Sequence, residues 1–204
     1  MPGRLFRGIC RSPLQKGNDR ERARSLHSRF LPVLLGPSRH VTVMIYFTSD
    51  THFCDARVLR IDRRPFADMA AHDVALIEYW NCVVSPSDEV WHLGDFMRQN
   101  GGDCDQLLSL LNGRKHLIVG NNDPDSTTSA KGWLTVQHYA EMRVDGQFLV
   151  LCHYPFRTWN RMGKNSINLH GHSHGRLKPL PRQFDVGVDA QSLRPVPLET
   201  ILRK

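Results

Sequence analysis

Short apolar segments alternate with amphipathic ones through the first half of the folded part of the chain. Residues 41–47, 89–93 and 115–119 are rich in β-branched and aromatic residues, which is typical of buried strands. Apolar residues recur at helical spacing over residues 64–82 and 103–111, between successive strands. Strands that alternate with helices in this way favour a parallel sheet.

The second half predicts strands that follow one another directly. Residues 136–144 and 147–151 predict two strands joined by Asp145-Gly146, a dipeptide typical of hairpin turns. Two more strands and a short terminal helix are expected at residues 166–169, 184–189 and 196–202. The combined pattern predicts an α/β sandwich of two sheets.

The basic charge of the chain lies almost entirely in its first 43 residues. The net charge of the chain is +7. Residues 1–43 hold nine of its 27 basic residues but only two of its 20 acidic residues. Residues 44–204 therefore hold 18 basic and 18 acidic residues. A neutral body gives no overall attraction to polyanions, which argues against a nucleic-acid polymer as partner. We expect a basic extension over residues 1–42 and one domain over residues 43–204.

The extension has three open interpretations: a disordered arm, a targeting segment, or an artefact with translation beginning at Met44. No apolar run reaches the roughly 18 residues of a membrane-spanning helix, so no membrane contact is expected. The five cysteines are scattered without a C-x-x-C pair. This cysteine usage fits a reducing compartment, so we expect a cytoplasmic protein. Its oligomeric state is open between a monomer and a homodimer.

Five strand ends carry side chains that can bind a metal ion. In chain order they are Asp50-x-His52, Gly94-Asp95, Gly120-Asn121, His153 and His172-x-His174. An extended backbone places residues i and i+2 on one side, so each such pair is expected to reach into one pocket. Each residue alone is explained as well by a cap or a turn, but five such ends together favour a metal site. Oxygen ligands mixed with imidazoles, without thiolates, suit manganese, iron or zinc.

These blocks, with Asp123 two residues after Asn121, resemble the calcineurin-like metallophosphoesterase superfamily and its small single-domain bacterial and phage-type members. The resemblance covers about residues 43–195 and implies a four-layer αββα sandwich of two mixed β-sheets flanked by helices. It implies two divalent metal ions, with manganese favoured and iron, zinc or nickel as alternatives. The implied ligands are Asp50, His52 and His174 for one ion, Asn121, His153 and His172 for the other, and Asp95 as a bridge between them.

The resemblance further implies a phosphoesterase in which a metal-bridging hydroxide attacks phosphorus. Asp95, Asn122, His52 and Asp123 are the implied catalytic residues. The superfamily usually has Gly-Asn-His-Asp where this chain has Asn122 in place of the histidine, and an amide cannot deliver a proton near neutral pH. Another group would then supply the proton, or the leaving group needs little help. Similar members that lack this histidine tend towards phosphodiesters, so the resemblance implies a phosphodiesterase acting on a small or cyclic nucleotide. The alternatives are a phosphomonoesterase or protein phosphatase, a nuclease, and a catalytically weak binding scaffold.

The loop after His153 is the predicted substrate contact. Arg157 or Arg161 is a candidate for binding a substrate phosphate, and Trp159 for stacking on a base. The alternative is a surface loop with one packed tryptophan. Three residues are candidates for holding the imidazoles in place: His170, Thr48 and Asp123.

Overall fold

The computed structural model describes residues 42–98, 102–178 and 180–203. The strands are β1 (Ile45–Thr48), β2 (Glu89–His92), β3 (Arg114–Ile118), β4 (Trp133–Gln137), β5 (Tyr139–Val144), β6 (Gln147–Cys152), β7 (Ile167–His170), β8 (Gln183–Asp185) and β9 (Val196–Pro197). The helices are α1 (Arg57–Ile61), α2 (Met69–Val83), α3 (Cys104–Leu110), α4 (Asp125–Thr128) and α5 (Leu198–Leu202). The predicted extension over residues 1–42 lies outside the described residues, except for Thr42.

The strands form two mixed sheets. The first has the order β4-β3-β2-β1-β9, in which β1 to β4 are parallel and β9 is antiparallel to β1. The second has the order β5-β6-β7-β8, in which β6 to β8 are parallel and β5 pairs with β6 in the predicted hairpin. With their flanking helices, these sheets confirm the predicted α/β architecture. In the described part of the chain, no helix is both long and apolar enough to cross a bilayer.

Two clusters of buried apolar side chains hold these layers together. One cluster contains Phe47 of the first sheet and Leu149 and Leu169 of the second, so it joins the two sheets. The other cluster contains Trp80 of α2 and Val90 of β2, so it joins the first sheet to its helices. Complete burial of side chains of this size stabilises the fold by about 1.5–3 kcal/mol each.

The prediction of one strand over residues 136–144 was wrong. The chain crosses between the sheets at His138, so that β4 pairs with β3 while β5 pairs with β6. No glycine, proline or other turn residue marks this crossing, so the sequence contains no turn signal there.

Several other boundaries also differ from the predictions. Helix α2 begins at Met69 rather than near residue 64, because the side chain of Asp68 caps it by accepting a hydrogen bond from Ala71 N. The expected strand over residues 184–189 ends at Asp185. The short elements α1, α4 and β9 were not predicted. Strand β9 takes the first two residues of the helix expected over residues 196–202, so α5 begins at Leu198.

Candidate active site

The carboxyl ends of β1, β2, β3, β6 and β7 meet at one edge of the sandwich. Parallel strands deliver their carboxyl ends to the same edge of a sheet, and here the corresponding edges of both sheets come together. The structure brings all seven predicted ligand residues to this place: Asp50, His52, Asp95, Asn121, His153, His172 and His174. Most of them are buried, with Asp50 fully so.

Asp50, His52 and His174 form one group of possible ligands. One ligand atom from each lies within 4.8 Å of the others, and the two imidazole rings are stacked with centroids 5.3 Å apart. Nε2 of His52 is buried and makes no hydrogen bond in the described structure, although it lies 3.5 Å from Asp95 Oδ2 and 4.0 Å from Asp50 Oδ1. Burial lowers the pKa of His52 to about 4. A buried imidazole nitrogen that faces two carboxylates without a hydrogen bond fits a site for a cation.

Asp50, Asp95 and His153 form a second such group. Nδ1 of His153 lies 2.7 Å from the Leu93 carbonyl oxygen, to which it donates a hydrogen bond. Burial lowers the pKa of His153, so the ring is neutral and its Nε2 carries a lone pair. That nitrogen faces two oxygen atoms, Asn121 Oδ1 at 3.0 Å and Asp95 Oδ1 at 3.6 Å. Three electron-rich atoms that converge without a proton between them again fit a cation.

The histidine pairs do not reach the site by strand alternation, contrary to the prediction. Asp50, His52, His172 and His174 have φ angles of 56°, 51°, 65° and 49°, so the backbone makes left-handed turns after β1 and β7 have ended. As a result, the ring of His172 contacts that of His153, with centroids 5.1 Å apart, whereas His174 stacks on His52. A left-handed conformation costs a non-glycine residue about 1–3 kcal/mol and clusters at functional sites.

A buried ion pair that the sequence analysis missed holds His174. Asp189 Oδ2 accepts a hydrogen bond from His174 Nδ1 at 2.7 Å and pairs with the buried guanidinium of Arg64 at 2.8 Å. Arg64 also donates to the carbonyl oxygens of Asp50 and Thr51. Burial alone would lower the pKa of His174, but the bond to Asp189 and the charge of Asp50 raise it. The sequence did contain a signal for Asp189, because this residue ends the apolar run that begins at Phe184.

Asp123 holds the ends of β2 and β3 together. Its carboxylate accepts hydrogen bonds from the backbone nitrogens of Asp95, Phe96 and Gly120 at 2.7–2.9 Å. Burial raises its pKa to about 6. Asn122 points the other way, because its backbone nitrogen and its Nδ2 donate to the two carboxylate oxygens of Asp95 at 2.8 and 2.7 Å.

The two other predicted supports make fewer contacts with the site. Nδ1 of His170 donates to the Gly171 carbonyl oxygen at 2.8 Å, next to His172. Within the described residues, Thr48 Oγ1 makes no hydrogen bond.

Two adjacent cavities open over these residues. The first, of about 270 Å³, reaches His52, His172 and His174. The second, of about 280 Å³, reaches Asn121 and Asp123. Arg57 and Asn122 line both cavities, so the cleft has two compartments with a shared wall.

Comparison with known proteins identifies the family. The sequence profile of the calcineurin-like phosphoesterase superfamily domain matches residues 43–180. The chain belongs to this superfamily. It is 36% identical over 182 residues to the Gene 66 protein of Mycobacterium phage D29, covering 72% of this chain and 88% of that protein. It is 28% identical over 168 residues to protein MJ1445 of Methanocaldococcus jannaschii, covering 78% of this chain and 89% of that protein.

A solved structure has the same fold. Protein AQ665 of Aquifex aeolicus superposes with a TM-score of 0.62 at 22% sequence identity, covering 79% of this chain and 99% of that one. The candidate ligand groups therefore lie in a domain with this fold.

The loop predicted to bind substrate does not line the cleft of the phosphoesterase domain. Trp159 is 8% exposed, and its Nε1 donates to the Ser166 carbonyl oxygen, so its ring is not available to a base. The Arg161 guanidinium lies over the ring of Phe148, 4.9 Å from its centroid. Arg157 is exposed and lines neither cavity. The alternative of a surface loop with one packed tryptophan describes this segment, and the arginines of the cleft are Arg57, Arg98 and Arg176.

Proposed function

We propose that this protein is a metal-dependent phosphodiesterase that hydrolyses a small or cyclic nucleotide. One observation carries the proposal: Nε2 of His52, buried and without a hydrogen bond, faces the carboxylates of Asp50 and Asp95. A buried polar atom without a partner is costly, and a divalent cation would satisfy all three groups at once. Family membership supports the same chemistry.

The seven residues divide between two ions in the proposed site. Asp50, His52 and His174 would hold the first ion, and Asn121, His153 and His172 the second. Asp95 would bridge them, because its two oxygens face different histidines, His52 and His153. When bound, two divalent ions, with manganese favoured, would hold the phosphoryl oxygens, offset their charge and lower the pKa of a water molecule at the site.

Asn122 supports a diester rather than a monoester as substrate. It lines both cavities beside Asp95, where its neutral amide can donate a hydrogen bond but cannot deliver a proton. A histidine at this position would add positive charge when protonated. A neutral amide suits the single negative charge of a phosphodiester better than the two charges of a monoester.

A binding scaffold that does not hydrolyse its ligand is the second candidate. It is favoured by the hydrogen bonds from Asn122 to both oxygens of Asp95, which occupy the carboxylate proposed to bridge the ions.

Metal-dependent turnover of paired model esters distinguishes these candidates. The full chain would be stripped with a chelator and assayed with Mn²⁺ on bis(p-nitrophenyl) phosphate and p-nitrophenyl phosphate. We expect Mn²⁺-dependent hydrolysis that favours the diester and falls about 100-fold or more in Asp95→Asn, because that change weakens the proposed bridge. Asp145→Asn, in the exposed hairpin turn, is the matched control and should retain full activity.

Four other results would each count against the proposal. Turnover that needs no metal, or that survives in Asp95→Asn, would remove the metal mechanism. A preference for the monoester would replace the diester assignment. A wild-type chain that binds Mn²⁺ but hydrolyses neither ester would establish the scaffold.

A further inference from the structure

Two arginines at the mouth of the second cavity share one buried carboxylate. Asp55 is 1% exposed and accepts hydrogen bonds from Arg57 Nε at 2.8 Å and Nη2 at 2.6 Å. Arg98 Nη1 reaches the same carboxylate at 3.4 Å. Two guanidinium groups share one carboxylate, so this group of three side chains carries one surplus positive charge.

Both arginines keep donors free for a ligand. Within residues 42–98, 102–178 and 180–203, neither Nη1 of Arg57 nor Nη2 of Arg98 makes a hydrogen bond. Their side chains are about half exposed, at 46% and 49%. Asp123, the acidic residue of this cavity, is already bonded to three backbone nitrogens and so competes little for these donors.

The position of the pair relates it directly to the candidate metal ligands. Arg57 lines both compartments, and Asp55 Oδ2 lies 3.7 Å from His52 Nδ1. A small molecule that places one phosphoryl group beside His52 would therefore extend towards Arg57 and Arg98. Asp55 fixes the Arg57 side chain beforehand, which reduces the entropy lost when an anion binds.

We propose that Arg57 and Arg98 form a subsite for a second phosphoryl group, so that the substrate is a small molecule with two phosphoryl groups, such as a nucleotide diphosphate ester or a dinucleotide. The proposal rests on the proposed function, because the first compartment is where the ester would be hydrolysed. Guanidinium groups bind phosphate oxygens through paired, charge-assisted hydrogen bonds, and the surplus positive charge favours a second anion over a neutral group.

Binding of two matched ligands tests the subsite. Non-hydrolysable phosphonate analogues of adenosine monophosphate and adenosine diphosphate, which differ by one phosphoryl group, would be titrated calorimetrically into the Mn²⁺-loaded full chain. We expect the diphosphate analogue to bind about tenfold more tightly. Arg57→Ala and Arg98→Ala should each remove most of that preference. Arg57→Lys should retain part of it, because lysine keeps the positive charge but loses the paired donors of the guanidinium group.

Arg60→Ala and Arg157→Ala are the controls. Arg60 is exposed on α1 but lines neither compartment, and Arg157 belongs to the loop that the sequence had favoured. Both variants should keep the wild-type preference, and any chelation of Mn²⁺ by the diphosphonate affects all variants equally. Equal binding of the two analogues by the wild-type chain, or an unchanged preference in Arg57→Ala, would overturn the subsite.

The two proposals fail in different ways. A chain that hydrolyses model diesters but does not prefer the diphosphate analogue would refute the subsite alone. A chain that prefers the diphosphate analogue through Arg57 but hydrolyses no ester would refute the proposed function and leave the arginine pair as a binding site.

Discussion

Asp123 illustrates how a single side chain at the edge of the cleft can fix the geometry of this site by binding the backbone. Its two oxygens accept three backbone hydrogen bonds, from the loop after β2 and from the loop after β3. These loops carry Asp95 and Asn121. The implied catalytic role of Asp123 is therefore better assigned to positioning, because its acceptors are used by the backbone.

Asp123→Asn should separate that positioning role from direct chemistry. Asparagine keeps one acceptor oxygen but turns an NH₂ group towards a backbone N–H, so we expect the free energy of unfolding to fall by about 1–3 kcal/mol. Mn²⁺ affinity should fall as well, because Asp95 and Asn121 would shift together. Urea unfolding and metal titration measure the two effects. Asp125→Asn, an exposed neighbour, should change neither, and a stable Asp123→Asn variant with normal metal affinity would refute the assignment.

At the scale of the elements, the strand ends approach one another so closely that glycine is required between them. A Cβ on Gly94 would lie 2.6 Å from Gly120 Cα, and a Cβ on Gly120 would collide with Asp95 Oδ1. A Cβ on Gly171 would collide with Ser49 Oγ, after β1. The glycines beside the candidate ligands therefore let backbone from both sheets pack directly together.

Gly120→Ala should move Asp95 and weaken the proposed metal site. The added methyl group would collide with Asp95 Oδ1 and with the Asp95 backbone nitrogen, and overpacking of this kind costs about 1–3 kcal/mol. We expect lower unfolding free energy and lower Mn²⁺ affinity. Gly163→Ala is the matched control, since its Cβ would meet nothing within 4 Å. Equal metal affinity in the two variants would contradict the tight packing that we infer.

The same elements explain what the sequence could and could not predict. The strand ends were predictable because each strand has its own apolar run, and parallel strands deliver their carboxyl ends to one edge. The left-handed turns that send His172 and His174 to different neighbours leave no pattern in the sequence, because histidine is not a turn residue. The role of Arg64 could not be predicted either, because its partner Asp189 lies 125 residues further along the chain.

At the scale of the whole molecule, the basic charge and the candidate site belong to different parts of the chain. All helices and strands found in the described residues, and every candidate ligand, lie in residues 44–204, where basic and acidic residues are balanced. Residues 1–43 carry the surplus of seven positive charges. The small positive surplus at Arg57 and Arg98 is therefore local and suits a small anion rather than a polymer.

Removing residues 1–43 should abolish polyanion binding without affecting the site. We expect the full chain to be retained on immobilised heparin and released by salt, because the counterions displaced by its basic segment make binding salt-dependent. A chain that begins at Met44 should not be retained on heparin near physiological salt concentration, and it should keep Mn²⁺-dependent ester hydrolysis. The full chain with Arg57→Ala and Arg98→Ala is the control, and it should be retained almost as strongly as the wild type. Retention of the shortened chain would mean that the folded body has a basic surface of its own, and a polymeric substrate would then become the stronger proposal.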